Sequence, residues 1–217
     1  MYHYRYATKE ELKPVKAELE EIIHRVQDEV RDDFTFSYYY VGSSAKNRNL
    51  VTYDPTTQTG FDFDVNIDVN DDEEDYSPKE IREILSEAFN RVVRHYGYRN
   101  CEDSTSVLTI KFMDSSNPYR IDHSCDFAIV HEGKTRQQYI RFNKKQGTYT
   151  WEFRPKGFKH LEERAEWLKQ HKLWGEVQKL YLHKKNTNTN PDKHSRSLYA
   201  ETINGLYNHY CTQHNKK

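Results

Sequence analysis

Cysteine is scarce in this 217-residue chain, long apolar runs are missing, and no internal repeat is visible. Cys101, Cys125 and Cys211 are odd in number and widely spaced. That argues against a disulfide framework or a cysteine-ligated zinc site and suits a reducing cytosol. No apolar stretch approaches the ~20 residues that a membrane-spanning helix needs. The opening Met1-Tyr2-His3-Tyr4-Arg5-Tyr6 lacks the apolar core of a secretory leader. The 11 histidines show no metal-ligand spacing, and there is no long low-complexity segment. The expectation is a cytoplasmic protein without a membrane partner, its oligomeric state left open.

Charge and aromatic rings are what the chain has in quantity. Charged residues make up 31% and hydrophobic residues 35%, so the surface is very polar, and 17 Tyr and 10 Phe carry much of the burial. The net charge of -1 conceals an asymmetry. Residues 1–130 hold 15 Lys+Arg against 26 Asp+Glu, whereas residues 131–217 hold 18 against 8. A carboxylate-rich half beside a basic half suits a metal site facing polyphosphate or nucleic acid; two solvated surfaces of opposite sign would look the same.

Periodicity divides the chain into an α+β core and a helical tail. Val15, Leu19, Ile22, Val26 and Val30 recur every three or four residues, which predicts a helix over about 8–33. Pro14 suits a first turn and places the start of that helix near Lys13. Phe34 to Val41 reads as a strand, and Phe61 to Val69 alternates strictly: Phe61, Phe63, Val65, Ile67 and Val69 on one face, Asp62, Asp64, Asn66 and Asp68 on the other. Ser77-Pro78-Lys79-Glu80 is a capping box that opens a helix to about His95. Strands follow near 106–112, 121–130, 138–142 and 149–153. Helices follow near 160–170, 174–184 and 195–210. The expected organisation is a core over 1–155, a mixed sheet flanked by helices, with a helical segment over 156–217 packed on it. Trp151, Trp167 and Trp174 suit packing between the two.

Three features carry chemistry. Gly42-Ser43-Ser44 ends a strand; glycine lets backbone approach a phosphate closely, and amides and hydroxyls can then grip it. In Asp62-Phe63-Asp64 the two carboxylates share a face of one strand, where their repulsion invites a divalent cation with hard oxygen ligands. Asp126, just before the apolar Phe127-Ala128-Ile129-Val130, can complete a three-carboxylate cluster from a neighbouring strand; Asp122 is its rival. His123, beside them, reads as a surface or hydrogen-bonding residue.

In this order the three features resemble the polymerase-beta-like nucleotidyltransferases. The matching segments are Tyr40-Val41-Gly42-Ser43, Gly60-Phe61-Asp62-Phe63-Asp64-Val65 and Cys125-Asp126-Phe127. Within that superfamily the chain looks similar to the branch of cyclic-dinucleotide and oligoadenylate synthases. There a lysine-bearing helix and a following serine-led helix contact the triphosphate; Lys184 or Lys185 and Ser197 are the candidates here. The loop between Gly42-Ser43 and Asp62 is longer than in compact members, and the chain is shorter than typical second-messenger synthases.

The resemblance implies a nucleotidyltransferase fold and two Mg²⁺ (or Mn²⁺) ions held by Asp62, Asp64 and Asp126. It implies transfer of a nucleoside monophosphate from ATP or another (d)NTP to a hydroxyl with release of pyrophosphate, making a short oligonucleotide signal in bacterial antiviral defence. Gly42, Ser43 and Ser44 would bind the nucleotide's phosphates. Transfer to tRNA or to a protein, as in toxin-like members, and a catalytically silent nucleotide-binding module are the alternatives. Lys46 or an aromatic residue can contact the nucleotide, but the sequence does not choose among the tyrosines and phenylalanines. Tyr207 and Tyr210, near a C-terminus expected to fray beyond Tyr210, are candidates for a built-in primer hydroxyl.

Overall fold

Thr8 opens the first long helix. In the computed structural model, which describes residues 2–57, 59–71, 75–132, 136–154, 158 and 160–214, α1 spans Lys9–Glu29. The Thr8 hydroxyl accepts the Glu11 amide and the Glu11 carboxylate accepts the Thr8 amide, a complete capping box. The helix therefore begins ahead of the Lys13 start that Pro14 suggested. Pro14 lies inside it and forfeits one backbone hydrogen bond. Ser77 and Glu80 cap α2 (Pro78–Val93) in the same reciprocal way, with Pro78 at the first turn, as the sequence predicts.

Among the described residues nine strands accompany these helices. The two-residue β1 (Arg5–Tyr6) and β3 (Thr52–Tyr53) stand outside the main sheet. That sheet has seven strands: β2 (Thr35–Val41), β4 (Thr59–Asn70), β5 (Glu102–Asp103), β6 (Leu108–Asp114), β7 (Asn117–Glu132), β8 (Gln137–Asn143) and β9 (Thr148–Phe153). Its order is β2-β4-β7-β6-β5, with β8 beside the end of β7 and β9 beside β8. The central β4–β7 pair is parallel; β2 joins β4, and β6 joins β7, antiparallel.

The core lies on one face of this sheet. Phe63, Val65, Ile67 and Val69 of β4 and Cys125, Phe127 and Ile129 of β7 meet Leu19, Ile22, Ile23 and Val26 of α1 and Ile81, Leu85, Phe89 and Val92 of α2. Trp151 packs against the same cluster. Strict alternation means that burying these residues turns Asp62, Asp64, Asn66 and Asp68 to the opposite face. One buried cation anchors the periphery: Arg82 of α2, 1% exposed, donates from Nε to Asp103 Oδ1 (2.9 Å) and from Nη2 to the Ser104 and Val107 carbonyls (2.8 Å each). The Tyr149 hydroxyl donates to the other Asp103 oxygen at 2.8 Å.

The chain divides into two compact units, Tyr6–Arg154 and Met1–Arg5 with Pro155–Lys217. The second contains α3 (Leu161–Gln170), α4 (Trp174–Thr187) and α5 (Ser195–His214). The Asn186 side chain accepts the Tyr4 amide at 2.6 Å and donates to the Tyr4 carbonyl at 3.0 Å, tying the N-terminus to α4. Trp167 stacks on His171 at 3.8 Å and meets Tyr207 edge-on at 5.1 Å. α5 is helical past Tyr210 to His214, and the rest of the tail expected to fray, residues 215–217, lies outside the described residues. Among the described residues no helix is long and apolar enough to cross a membrane.

Candidate active site

The parallel pairing of β4 with β7 sets the site. Its register places Asp64 opposite Asp126 and Asp62 opposite Ser124. Three residues that are separate in sequence thereby share one patch of the open face. One carboxylate oxygen each from Asp62, Asp64 and Asp126 lies within 4.8 Å of the others. Asp122, the rival for the third position, is elsewhere: it accepts a hydrogen bond from His123 Nδ1 at 2.9 Å. His123 is buried at 4% exposure and reaches the Tyr98 hydroxyl on its other side. Asp68 is half-exposed, further along the face.

Neighbouring side chains hold two of the carboxylates in place. Ser124 donates its hydroxyl to Asp62 Oδ1 at 2.9 Å, and Thr109 of β6 donates to Asp126 Oδ1 at 2.5 Å. Burial, then the Asp126 charge beside it, pushes the Asp64 carboxyl up to about 6, with Arg154 opposing. Burial also raises Asp126, against the Thr109 hydrogen bond. Burial and a second carboxylate both disfavour the ionised form, and a bound cation would favour it. These donors fit a hard divalent cation: all are oxygens, and they converge. Arg154, which pattern reasoning on the sequence missed, is the nearby guanidinium. It donates from Nη2 to Asn66 Oδ1 at 2.8 Å, two residues beyond Asp64 on the same face. Nothing in its local sequence distinguishes it from the other basic residues after Glu132.

Gly42-Ser43-Ser44 forms a single 3₁₀ turn directly after β2, where Val41 pairs with Asp64. Two constraints require glycine at 42. Its φ is +60°, and a Cβ there would lie 2.4 Å from Asp64 Oδ2. The glycine therefore makes room for a site carboxylate, a role the sequence did not reveal. The loop carbonyls are drawn into the protein by three donors. Arg48 Nη1 reaches Gly42 O at 3.0 Å, the Leu50 amide reaches Ser43 O at 3.3 Å, and Lys16 Nζ reaches Ser44 O at 3.3 Å. Because C=O and N–H oppose each other in a trans peptide, the Ser43 amide points away from Arg48. Ser44 is 2% exposed, and its hydroxyl donates to Val41 O at 2.9 Å, so it braces the turn.

The other sequence candidates lie in the C-terminal unit. Lys184 Nζ is 3.4 Å from Glu201, which also binds Lys193 at 2.7 Å. Lys185 lies over the Tyr4 ring at 4.2 Å. Ser197 sits in the first turn of α5, half-buried. Tyr207 is half-buried between Trp167 and Arg164, and Tyr210 is half-buried one turn on.

No protein-family model matches the chain, and no curated protein matches it in sequence. Solved structures do match. Vibrio cholerae DncV cyclic AMP-GMP synthase superposes with a TM-score of 0.65 at 12% identity, covering 92% of this chain and 67% of that one. The chain has the nucleotidyltransferase fold of the cyclic dinucleotide synthases. Escherichia coli MS115-1 CdnC, solved with ATP, matches this fold at a TM-score of 0.51 and 14% identity over 94% of this chain and 62% of its own. Elizabethkingia meningoseptica CdnE cyclic dinucleotide synthase, solved with GTP and Apcpp, gives 0.50 and 15% over 87% and 69%. This chain thus spans about two thirds of the length of these three proteins. At these identities the likeness establishes the nucleotidyltransferase fold, an α+β architecture with a mixed sheet, and not the substrate.

Proposed function

We propose that the protein transfers a nucleoside monophosphate from an NTP or dNTP to a hydroxyl, releasing pyrophosphate. The observation that carries this is the convergence of Asp62, Asp64 and Asp126 within 4.8 Å beside a glycine-led turn. The carboxylates would hold divalent cations, two Mg²⁺ or Mn²⁺ by the family pattern. Bound there, such ions would neutralise the triphosphate and make the acceptor hydroxyl more acidic.

The chain's own groups do the rest. Ser124 and Thr109 fix the Asp62 and Asp126 carboxylates, so that no reorganisation is needed when charge develops. The Ser43 amide and hydroxyl would take a phosphate oxygen, on a turn whose carbonyls are already held from behind. Ser44 contributes by bracing that turn. Lys184 or Lys185 with Ser197 would assist at the triphosphate, as the sequence pattern suggests; for Lys184 this means exchanging Glu201 for phosphate. Direct attack with inversion at phosphorus needs no protein nucleophile.

The product we infer is a short oligonucleotide signal in antiviral defence. The fold shared with DncV, CdnE and CdnC supports it, and so does the ATP or GTP with which two of the matched structures were solved. Incubating the protein with each radiolabelled NTP and dNTP plus Mg²⁺ or Mn²⁺, with and without tRNA, tests the proposal. Labelled product from the wild type, lost in Asp126→Asn with a melting temperature no lower than the wild type's, is the expected result. Label on tRNA or on the protein itself would move the acceptor. Turnover by Asp126→Asn at the wild-type rate would end the assignment of this site.

A further inference from the structure

Beyond Asp64 the open face of the sheet continues in a way the phosphate chemistry does not use. Along β4 the order is Asp62 and Asp64, then Asn66 with Arg154 on it, then Asp68. Tyr39 of β2 pairs with Asn66 in the ladder. Its neighbours Tyr38 and Tyr40 point to α1, where they meet His24 and Lys16. Tyr39 therefore projects from the opposite, carboxylate-bearing face. It is 37% exposed, among the few large apolar side chains that are.

This ring is held rather than loose. The Tyr39 hydroxyl donates to Glu132 Oε1 at 3.3 Å and accepts from Gln137 Nε2 at 2.7 Å, and Gln137 also donates to Glu132. Glu132 ends β7, and β4 lies between β2 and β7. The phenol thus bridges across β4, with a ring edge tied down and a ring surface left to solvent. Two residues along a strand cover about 6.6 Å. That is comparable to the reach from a nucleotide's α-phosphate across the ribose to its base.

Charge decides what can lie on it. Asp68 and Glu132 flank the ring, and burial, then the Glu132 charge, raises the Asp68 carboxyl. A phosphate would be repelled there, whereas a neutral aromatic base would not. We propose that Tyr39 is the stacking platform for the nucleobase of a bound nucleotide, with the Arg154–Asn66 pair at the base's edge between platform and carboxylates. This rests on the nucleotidyltransferase assignment above and names a base subsite within it. Base–aromatic stacking accepts any base face, so Tyr39 sets affinity, and discrimination falls to the polar groups at the edge.

Calorimetric titration with the α,β-methylene analogues of ATP and GTP, and separately with inorganic tripolyphosphate, all with Mg²⁺, tests the platform. Tyr39→Ala should weaken at least one nucleotide by roughly tenfold or more and leave tripolyphosphate unchanged. Tyr39→Phe should retain nucleotide affinity, since it keeps the ring and loses only the two hydrogen bonds. Tyr39→Leu, which keeps bulk without a π face, should resemble the alanine variant and guards against a folding defect in it. Unchanged nucleotide affinity in both Tyr39→Ala and Tyr39→Leu would overturn the proposal. So would an equal loss in Tyr39→Phe, which would make the hydroxyl's ties the cause. A wild type that binds neither nucleotide nor tripolyphosphate would instead refute the nucleotidyltransferase assignment itself.

Discussion

Replacing Asp64 by Asn should make the metal-free protein more stable while destroying its activity. In the folded chain burial, and then the facing Asp126, push the Asp64 carboxyl from an ordinary 3.8 up to about 6. A raised carboxyl pKa means that the folded state holds a proton that the unfolded state releases. Its contribution to stability is full below about pH 4 and is lost as pH rises through 6. Roughly two pKa units at 1.36 kcal/mol each give a penalty of about 3 kcal/mol at neutral pH. Asn cannot ionise, so the variant escapes it. For a unit of this size that corresponds to a Tm about 5–10 °C higher. Thermal melts of both proteins in EDTA at pH 7.5 and pH 4 provide the assay, with the gap expected at the higher pH and closed at the lower. Added Mg²⁺ should raise the wild-type Tm and narrow the gap, because it compensates the charge that the variant lacks. Equal melting in EDTA at pH 7.5, or a gap of the same size at both pH values, would refute the electrostatic account of this cluster.

Gly42→Ala should lower activity at least tenfold and cost roughly 1–2 kcal/mol from φ alone, since +60° suits L side chains poorly. The methyl group would also meet Asp64 Oδ2, so weaker Mg²⁺ binding by titration is expected together with the lower rate. An unchanged metal affinity would show that the glycine does not serve Asp64. Arg82→Leu should destabilise by roughly 1.5–3 kcal/mol, because it removes the charged donor shared by Asp103 and the Ser104 and Val107 carbonyls. A wild-type denaturation midpoint in that variant would contradict the anchoring role.

The parts of the fold that were legible in the sequence are those governed by local rules. The alternation from Phe61 to Val69 announced a half-buried strand, and it alone implied that Asp62 and Asp64 share a face. Ser77-Pro78-Lys79-Glu80 located a helix start to the residue. Thr8-Lys9-Glu10-Glu11 carried the same signal, and there Pro14 was the more conspicuous and misleading cue. What stayed hidden depends on pairing across the chain. The sequence does not tell which strand lies beside β4, so Asp122 and Asp126 competed until register chose between them. Thr109, Ser124 and Arg154 are ordinary residues until the sheet brings them to a carboxylate or its neighbour. Gly42 was read as an opening for phosphate, whereas the space it leaves is first of all filled by Asp64. Ser44 looked like a ligand and is turned inward.

The parallel β4–β7 pair has a consequence for how the protein comes into being. Asp64 and Asp126 are about sixty residues apart, and α2, β5 and β6 must all be threaded between them. A parallel pair cannot close through a tight turn, so this contact carries a large loop-closure cost and belongs to the slow class of folding events. Partly folded chains, including those still emerging from the ribosome, therefore contain both halves of the cluster without the cluster. A carboxylate trio that repels itself also gains nothing by assembling early, since the hydrophobic face of the same strands supplies the drive. Catalytic competence would thus appear as one of the last events of folding, in step with the sheet's central seam, and refolding followed by regained metal affinity should lag behind the recovery of helical signal.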